Sequence, residues 1–464
     1  MKSFALVALG LVATSRIMAQ DAVTNAPAKS FWERDTLTGD WGGLRSRWSD
    51  KGFDVGLEYT GEVLANTGGG VRRGELYQGL AKATLDISPE KFTGWRGAHF
   101  HASGLWIEGS EPNSRNDIAG MTGSAFSDPS NISAYDTIRL YELWLEQSFW
   151  GGKFSARAGQ LALDDEFICD DYAGVFLNSA HGWSPFVAMS IPDGGQVFPV
   201  TGTGVRLAFN PTETLSFQAA LADGDVHNQA TDNRHGTHFG FHGNEGLLGI
   251  FEVAFRSHQK RGDTGLPGCY KLGAWYHSGN FKDMSRDNLG RNLEDDGALS
   301  GFPSTGTPAT HAGNGGFYLD ACQMLWRKKP GADQGLGLYA RVAPWLPGDR
   351  NPLDFYAAAG LNFKGLLPVR EQDVFGLGIS YARVSSSLGD AQNAANRVIA
   401  GGGTPNHLSA GPVPDYEMAL EATYQINLSP WWLVQPDFQY IFHPGGSAAI
   451  QDAVVIGLRT KIVF

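Results

Sequence analysis

The chain has 464 residues, a formal charge of −12 at pH 7 and a pI of about 5.4, which argues against nucleic acid as a partner. Three cysteines over that length are no disulfide framework, and no run of eighteen apolar residues offers a membrane-spanning helix. Only 18% of residues are charged and 12% are aromatic, with 61 glycines and a mean hydropathy of −0.22. That balance still admits a membrane barrel, whose strands hide half their residues from any hydropathy window.

From the N-terminus, Lys2 precedes a small or apolar stretch over 4–14, and Ile17-Met18-Ala19 offers a cleavage site before Gln20. These features predict a signal peptide over 1–19, because about a dozen apolar residues are too few to cross a bilayer. A periplasmic leader over 20–52 follows. Within it Leu44 and Trp48 lie four apart on one helical face, and Gly52 suits the position just past a helix end. A short helix or plug-like segment is expected there.

Beyond the leader, one kind of segment recurs over 53–464: about ten residues long, alternating, and therefore two-faced as a strand. The predicted strands are 53–64, 76–87, 97–107, 138–149, 153–161, 202–209, 214–222 and 247–257. The second half adds 269–280, 316–327, 335–344, 353–363, 374–384, 415–427, 431–442 and 453–464. Sixteen is an even number, as a single-chain bacterial barrel requires. Tight-turn residues such as Asn210-Pro211-Thr212-Glu213 and Leu428-Ser429-Pro430 alternate with long connections at 108–137, 162–201, 223–246, 281–315 and 385–414. The expected fold is all-β: an antiparallel transmembrane barrel with short periplasmic turns and long outer loops. Cys269 and Cys322 fall on neighbouring strands, several residues out of line in this register, and no structural disulfide is expected.

The last segment alternates to the end of the chain. Val454, Ile456, Leu458, Ile462 and Phe464 share one face suited to lipid, while Arg459 and Lys461 lie on the other. A closing strand that ends on phenylalanine resembles those of outer-membrane barrels, where it is an assembly signal. The expected location is therefore the bacterial outer membrane, among lipid and lipopolysaccharide, reached through the barrel-assembly machinery by way of the Phe464 strand.

Several stretches together resemble the carbohydrate-selective porin family (OprB-like). They are Leu37-Thr38-Gly39-Asp40-Trp41-Gly42-Gly43-Leu44-Arg45 with Lys51-Gly52, Arg157-Ala158-Gly159-Gln160, and Phe176-Leu177-Asn178-Ser179. Gly316-Phe317-Tyr318, Gln323-Met324-Leu325, and Gln435-Pro436-Asp437-Phe438-Gln439-Tyr440-Ile441 with His443-Pro444-Gly445-Gly446 complete the set. The resemblance implies a sixteen-stranded outer-membrane barrel for passive uptake of sugars, with no cofactor.

A bare barrel of this size encloses a wide aqueous channel, so selectivity needs a segment folded into it. The 162–201 connection is the leading candidate, with Asp164-Asp165-Glu166, Asp170, Asp171, Tyr172, Asn178, His181, Trp183 and Phe186. Acids, amides and aromatics suit a polyol; the other reading is an extracellular cap with solvated acids. On the wall, parity turns Arg157 inward beside Glu142 and Glu146 of the preceding strand, together offering donors and acceptors. Their alternative role is an ion-pair network that stiffens the wall. The candidate path is therefore Arg157, Glu142, Glu146, Asp437, Gln435, Trp183 and Asp165. Parity also turns Glu252, Arg341, Glu417, Glu421, Arg459 and Lys461 inward, whereas Arg139 shares parity with lipid-facing residues at the outer rim.

Enzymatic readings find no placed motif. His238 and His242 have helical zinc spacing, but Gly236, Gly240 and Gly243 make a helix improbable there, and the acid spacing matches no calcium loop. The expected function is a selective diffusion channel for carbohydrates. Its rivals are a general or ion-selective porin of the same fold and, further off, a barrel-based hydrolase or adhesin.

Overall fold

The computed structural model describes residues 30–109, 116–227, 229–241, 245–260, 263–297 and 299–464; the expected signal peptide and His242 lie outside them. Sixteen strands form one closed antiparallel sheet. They are β1 (Phe53–Gly68), β2 (Gly74–Ile87), β3 (Ala98–Glu108), β4 (Thr137–Phe149), β5 (Phe154–Leu161), β6 (Gly202–Phe209), β7 (Leu215–Asp223) and β8 (Leu247–Ser257). The circle continues with β9 (Gly268–Asp287), β10 (Pro308–Arg327), β11 (Gly335–Ala343), β12 (Leu353–Lys364), β13 (Val374–Val384), β14 (Tyr416–Ser429), β15 (Trp432–Phe442) and β16 (Ala453–Val463). Each strand pairs with its sequence neighbours, and β16 pairs with β1 from Glu58↔Val463 to Gly68↔Val454, so no open edge remains.

Alternation explains the two faces. Leu57, Trp106, Ile138, Leu207, Phe251, Leu319, Leu361 and Phe438 point outward and stand exposed, as do Ile456 and Leu458 at 52% each. A continuous apolar belt of this extent would be untenable in water and suits hydrocarbon. Inward positions carry Glu252, Arg341, Glu417, Glu421, Arg459 and Lys461.

At the end where β1 begins and β16 finishes, the leader forms helix α1 (Leu44–Asp50). Gly52 follows it at φ +91°, where a Cβ would stand 2.6 Å from the Ser88 carbonyl. Arg45 Nη2 donates to the carbonyl of Phe464 at 2.8 Å, and the Leu37 amide donates to Val463 at 2.7 Å. The leader thus clasps the base of the closing strand.

Five expectations need correction. The 281–315 connection is sheet at both of its ends, because β9 and β10 run on past the apolar belt. There Asp283, Ser285 and Asp287 are buried while Lys282 and Arg286 are exposed, a polar alternation that a hydrophobic period cannot detect. The 385–414 connection contains helix α2 (Ser386–Ala400), capped by the Ser385 hydroxyl, with Ala391, Ala394, Ala395 and Val398 buried at helical spacing. Not every outer connection is long: 69–73, 344–352 and 443–452 are short.

The fourth correction concerns facing. Ala102 opposes Leu143 but Gly104 opposes Leu140, so Tyr141 and Glu142 bulge together against Ser103. A bulge flips the parity beyond it. Arg139 and Tyr141 therefore turn inward and are buried, and Arg139 does not face the rim. Cys269 also lies directly opposite Cys322, not several residues away.

Candidate functional site

Two outer connections fold into the barrel and are clamped by its wall. The 162–201 loop carries the apolar residues Leu163, Phe167, Ile168, Phe176, Phe186 and Val187, which pack against inward Tyr318, Tyr339, Tyr356, Trp275 and Ile250. Room for them comes from small inward residues. A Cβ at Gly360 or Gly378 would stand 2.7 Å from the Phe176 ring, so both positions require glycine.

The polar half of the clamp is equally specific. Arg341, on β11, pairs with Asp320 at 2.6 Å and donates to the loop carbonyls of Ile168, His181 and Gly182 at 2.5, 3.0 and 2.8 Å, and to the Ser184 hydroxyl at 2.9 Å. Glu421 accepts the amides of Leu177 and Asn178 at 2.6 and 3.0 Å. Glu417 accepts those of Ala125, Phe126 and Gly445, which pins the second infolded connection, 116–136. Gln435 donates to the Val175 carbonyl at 2.7 Å, and Asp437 accepts from Gln439, which in turn donates to Pro129. Trp183 is buried with its indole N–H on the Gly194 carbonyl. Gln435, Asp437 and Trp183 thus sit beneath or within the loops.

Across the lumen, a strip along β16, β1, β2 and β3 stays partly exposed to solvent. Lys461 lies 2.9 Å from Glu58, whereas Arg459, 2.6 Å from the buried Glu62, donates to Asn131 of the infolded 116–136 connection. Lys82 stands between Glu142 at 3.9 Å and Asp165 of the loop at 3.8 Å. His99 and His101 approach Asp86 at 3.0 and 2.8 Å, and His101 also faces Glu142 at 3.6 Å. Cationic and anionic groups therefore alternate, with each sign within reach of a single polyol.

Beside this strip is the cluster that the sequence placed around Arg157. Register sets Arg157 opposite both Glu146 and Arg206. Two guanidiniums directly opposed would repel, and Glu146 and Glu166 separate them: Arg157–Glu146 is 2.9 Å, Arg206–Glu146 2.9 Å and Arg206–Glu166 3.0 Å, with Arg157 also paired to Glu166. The Arg157 guanidinium sits 3.6 Å from the Trp144 ring centroid, and Trp144 stacks on His101 at 4.8 Å. Trp144 Nε1 donates to Glu142 at 3.1 Å, which links the cluster to Lys82. The structure thus brings Arg157, Glu146, Glu142 and Asp165 to one side of the lumen and leaves Gln435, Asp437 and Trp183 under the loops.

Sequence reasoning overlooked Lys82, Asp86, His99, Trp144 and Arg206. Trp144 shares parity with Glu142 and Glu146, and Lys82, Thr84 and Asp86 form a polar period-two run in β2. Both signals were present, but Leu80 interrupts the second.

Asp165 keeps 41% of its side chain exposed. Burial of the surrounding segment nevertheless pushes its carboxyl up to about 6 against the pull of Lys82, with Glu142 and Glu166 adding to the rise. Between pH 7 and pH 5 it therefore gains a proton and the strip loses one negative charge. The cation-to-anion permeability ratio, read as reversal potential across a salt gradient, is expected to fall through this interval. Asp165→Asn should remove that component; an identical pH profile in the variant would place the titrating group elsewhere.

Residues 72–464 match the family model for carbohydrate-selective porins, OprB family. The chain is similar to Porin B of Pseudomonas aeruginosa, with 28% identity over 99% of this chain and 96% of that one. It is also similar to the putative porin QuiX of Acinetobacter baylyi, with 22% identity over 98% and 99%. Among solved structures, the high-pH form of Pseudomonas putida OprB superposes with a TM-score of 0.81 at 25% identity, covering 94% of this chain and all of that one. The low-pH form gives 0.56 at 19% identity, over 93% and 99%.

Proposed function

Because the chain belongs to the OprB family of carbohydrate-selective porins, we propose that its sugars cross along the solvated strip of β16 and β1–β3. The protein is an integral outer-membrane porin for carbohydrates. Lys82 and Asp165 serve as contact groups in this reading, and Glu142, buried behind them, holds Lys82 in place. Arg157 and Glu146 act from beside them, by fixing Trp144 and the acids. Gln435, Asp437 and Trp183 are assigned to holding the infolded segments. One observation carries the proposal: the inward side chains Tyr318, Arg341, Tyr356, Glu421 and Gln435 are buried under the loops, whereas Lys461, Glu58, Lys82, Asp86 and His99 remain open to water.

A neutral polyol competes poorly with water for any single group, so a row of alternating donors and acceptors is needed to hold it without trapping it. Ion pairs as exposed as Lys82–Asp165 are each worth about 1 kcal/mol or less, weak enough to open for a passing hydroxyl. On this reading the chain is a conduit, not a catalyst. Residues 1–19 are its export signal, 20–52 its periplasmic leader and 53–464 its barrel. Lipopolysaccharide borders the outer rim, and the Phe464 strand is the segment that the assembly machinery reads.

The test is liposome swelling over a panel of mono- and disaccharides. Wild-type protein should rank the panel, and Lys82→Gln should change the relative rates by about fivefold, equivalent to about 1 kcal/mol. Rates indifferent to the sugar would count against selectivity at this strip, and an unaltered ranking in the variant would move the route away from Lys82.

A further inference from the structure

Two of the three cysteines meet. Cys269 is the second residue of β9, and the register runs without interruption from Gly315↔Tyr276 to Gln323↔Gly268, which sets Cys322 directly opposite it. Facing agrees. Their inward neighbours at the next position of the same parity, Lys271 and Asp320, reach Glu252 and Arg341, while Tyr270 and Leu319, of the opposite parity, are exposed on the lipid side. Both thiols are free, half-buried and inward, toward the end of the barrel that carries helix α1.

Cα atoms of directly opposed antiparallel residues stand about 4.5–5.5 Å apart. A disulfide bridges Cα separations of about 4.4–6.8 Å, so no backbone movement is required. Cys169 is placed differently: it lies in the 162–201 loop, with its Sγ on the carbonyls of Asp164 and Phe167 at 3.0 and 3.3 Å.

We propose that Cys269 and Cys322 are joined by a disulfide in the mature porin. A barrel of the outer membrane folds from the periplasm, an oxidising compartment. The two thiols lose two protons and two electrons as the S–S bond forms. The acceptor is the disulfide of a periplasmic thiol–disulfide oxidoreductase, whose own S–S bond is reduced to two thiols in the exchange. The bond has a clear task. β9 and β10 form the longest hairpin of the barrel, and their pairing is broken at Pro308/Thr310 and Ala312/Asn314, so its register is poorly determined at the outer end. A slip of one residue would turn the two thiols to opposite faces, so the bond forms only in the native register.

The experiment uses wild-type protein extracted from outer membranes, alkylated in denaturant without reductant and mapped by peptide mass. The expected result is alkylation of Cys169 alone, with the Cys269 and Cys322 peptides recovered as one species, lighter by two hydrogens than their sum, that separates on reduction. Cys322→Ser should then render Cys269 alkylable without reductant. Alkylation of both cysteines in unreduced wild-type protein would overturn the proposal, as would a cross-link from either of them to Cys169.

Discussion

Replacing Arg341 with methionine is expected to open the channel. The side chain is fully buried, and its guanidinium is shared between Asp320 and four groups of the 162–201 loop. Methionine keeps much of the volume but supplies no donor. Asp320, itself 1% exposed, is then left as an uncompensated buried charge, a situation that costs about 3–5 kcal/mol. The sheet does not absorb that cost, because every strand retains its ladder on both sides. The loop does, since its carbonyls lose their partner. At 1.4 kcal/mol per tenfold, the balance between docked and released loop shifts by about two to four powers of ten. Single-channel conductance should rise well above the wild-type value, and added saccharide should no longer depress it. Arg341→Lys, which restores a charge to Asp320 but not the forked donors, should fall between the two. Conductance and sugar response equal to wild type in Arg341→Met would show that the loop is held without this residue.

Arg157→Ala is expected to blunt discrimination without opening the pore. Two guanidiniums and two carboxylates balance in the wild-type cluster, so the variant leaves Glu146 and Glu166 to share Arg206. Trp144 loses the cation over its ring, and its indole no longer holds Glu142 in a fixed position. The loss of about one charge-assisted hydrogen bond's worth of interaction, roughly 1.5 kcal/mol, corresponds to about a tenfold rise in the sugar concentration that half-blocks conductance. Cation preference should rise as well, from the added negative charge. A lysine at 157 should rescue the charge but not the stacking, which separates the two contributions. If half-block is unmoved in Arg157→Ala while thermal stability falls, the cluster is wall reinforcement alone.

How much of this was legible from residues alone differs by level. The strands were, because a lipid-facing side and a wet side impose a period of two that survives any uncertainty about ends. The pairing of Arg157 with Glu146 followed from parity in two strands joined by the 150–153 turn. Register beyond a tight turn was not legible. Strands of a closed barrel are staggered by its shear, so strand ends do not align, and Cys269 met Cys322 instead of a residue further on. The bulge at Tyr141–Glu142 has no hydrophobic signature, so Arg139 was assigned the wrong face. Nor does parity distinguish an inward residue that touches water from one under a loop. Asp437 and Lys82 both point inward; only the docked loops separate them.

The 162–201 loop leans on β8 to β15 and leaves Glu58, Lys82, Asp86, His99 and Lys461 open to water, so the bore is eccentric. On the proposed route, fastening and selection occupy different parts of the circumference. On that route, substitutions at Lys82, Asp86 and His99 alter what a solute meets while Arg341, Glu417 and Glu421 keep the infolded connections clamped, and substitutions at those three do the reverse. A chain built this way can be retuned toward another solute by editing a few adjacent staves, with its scaffold untouched.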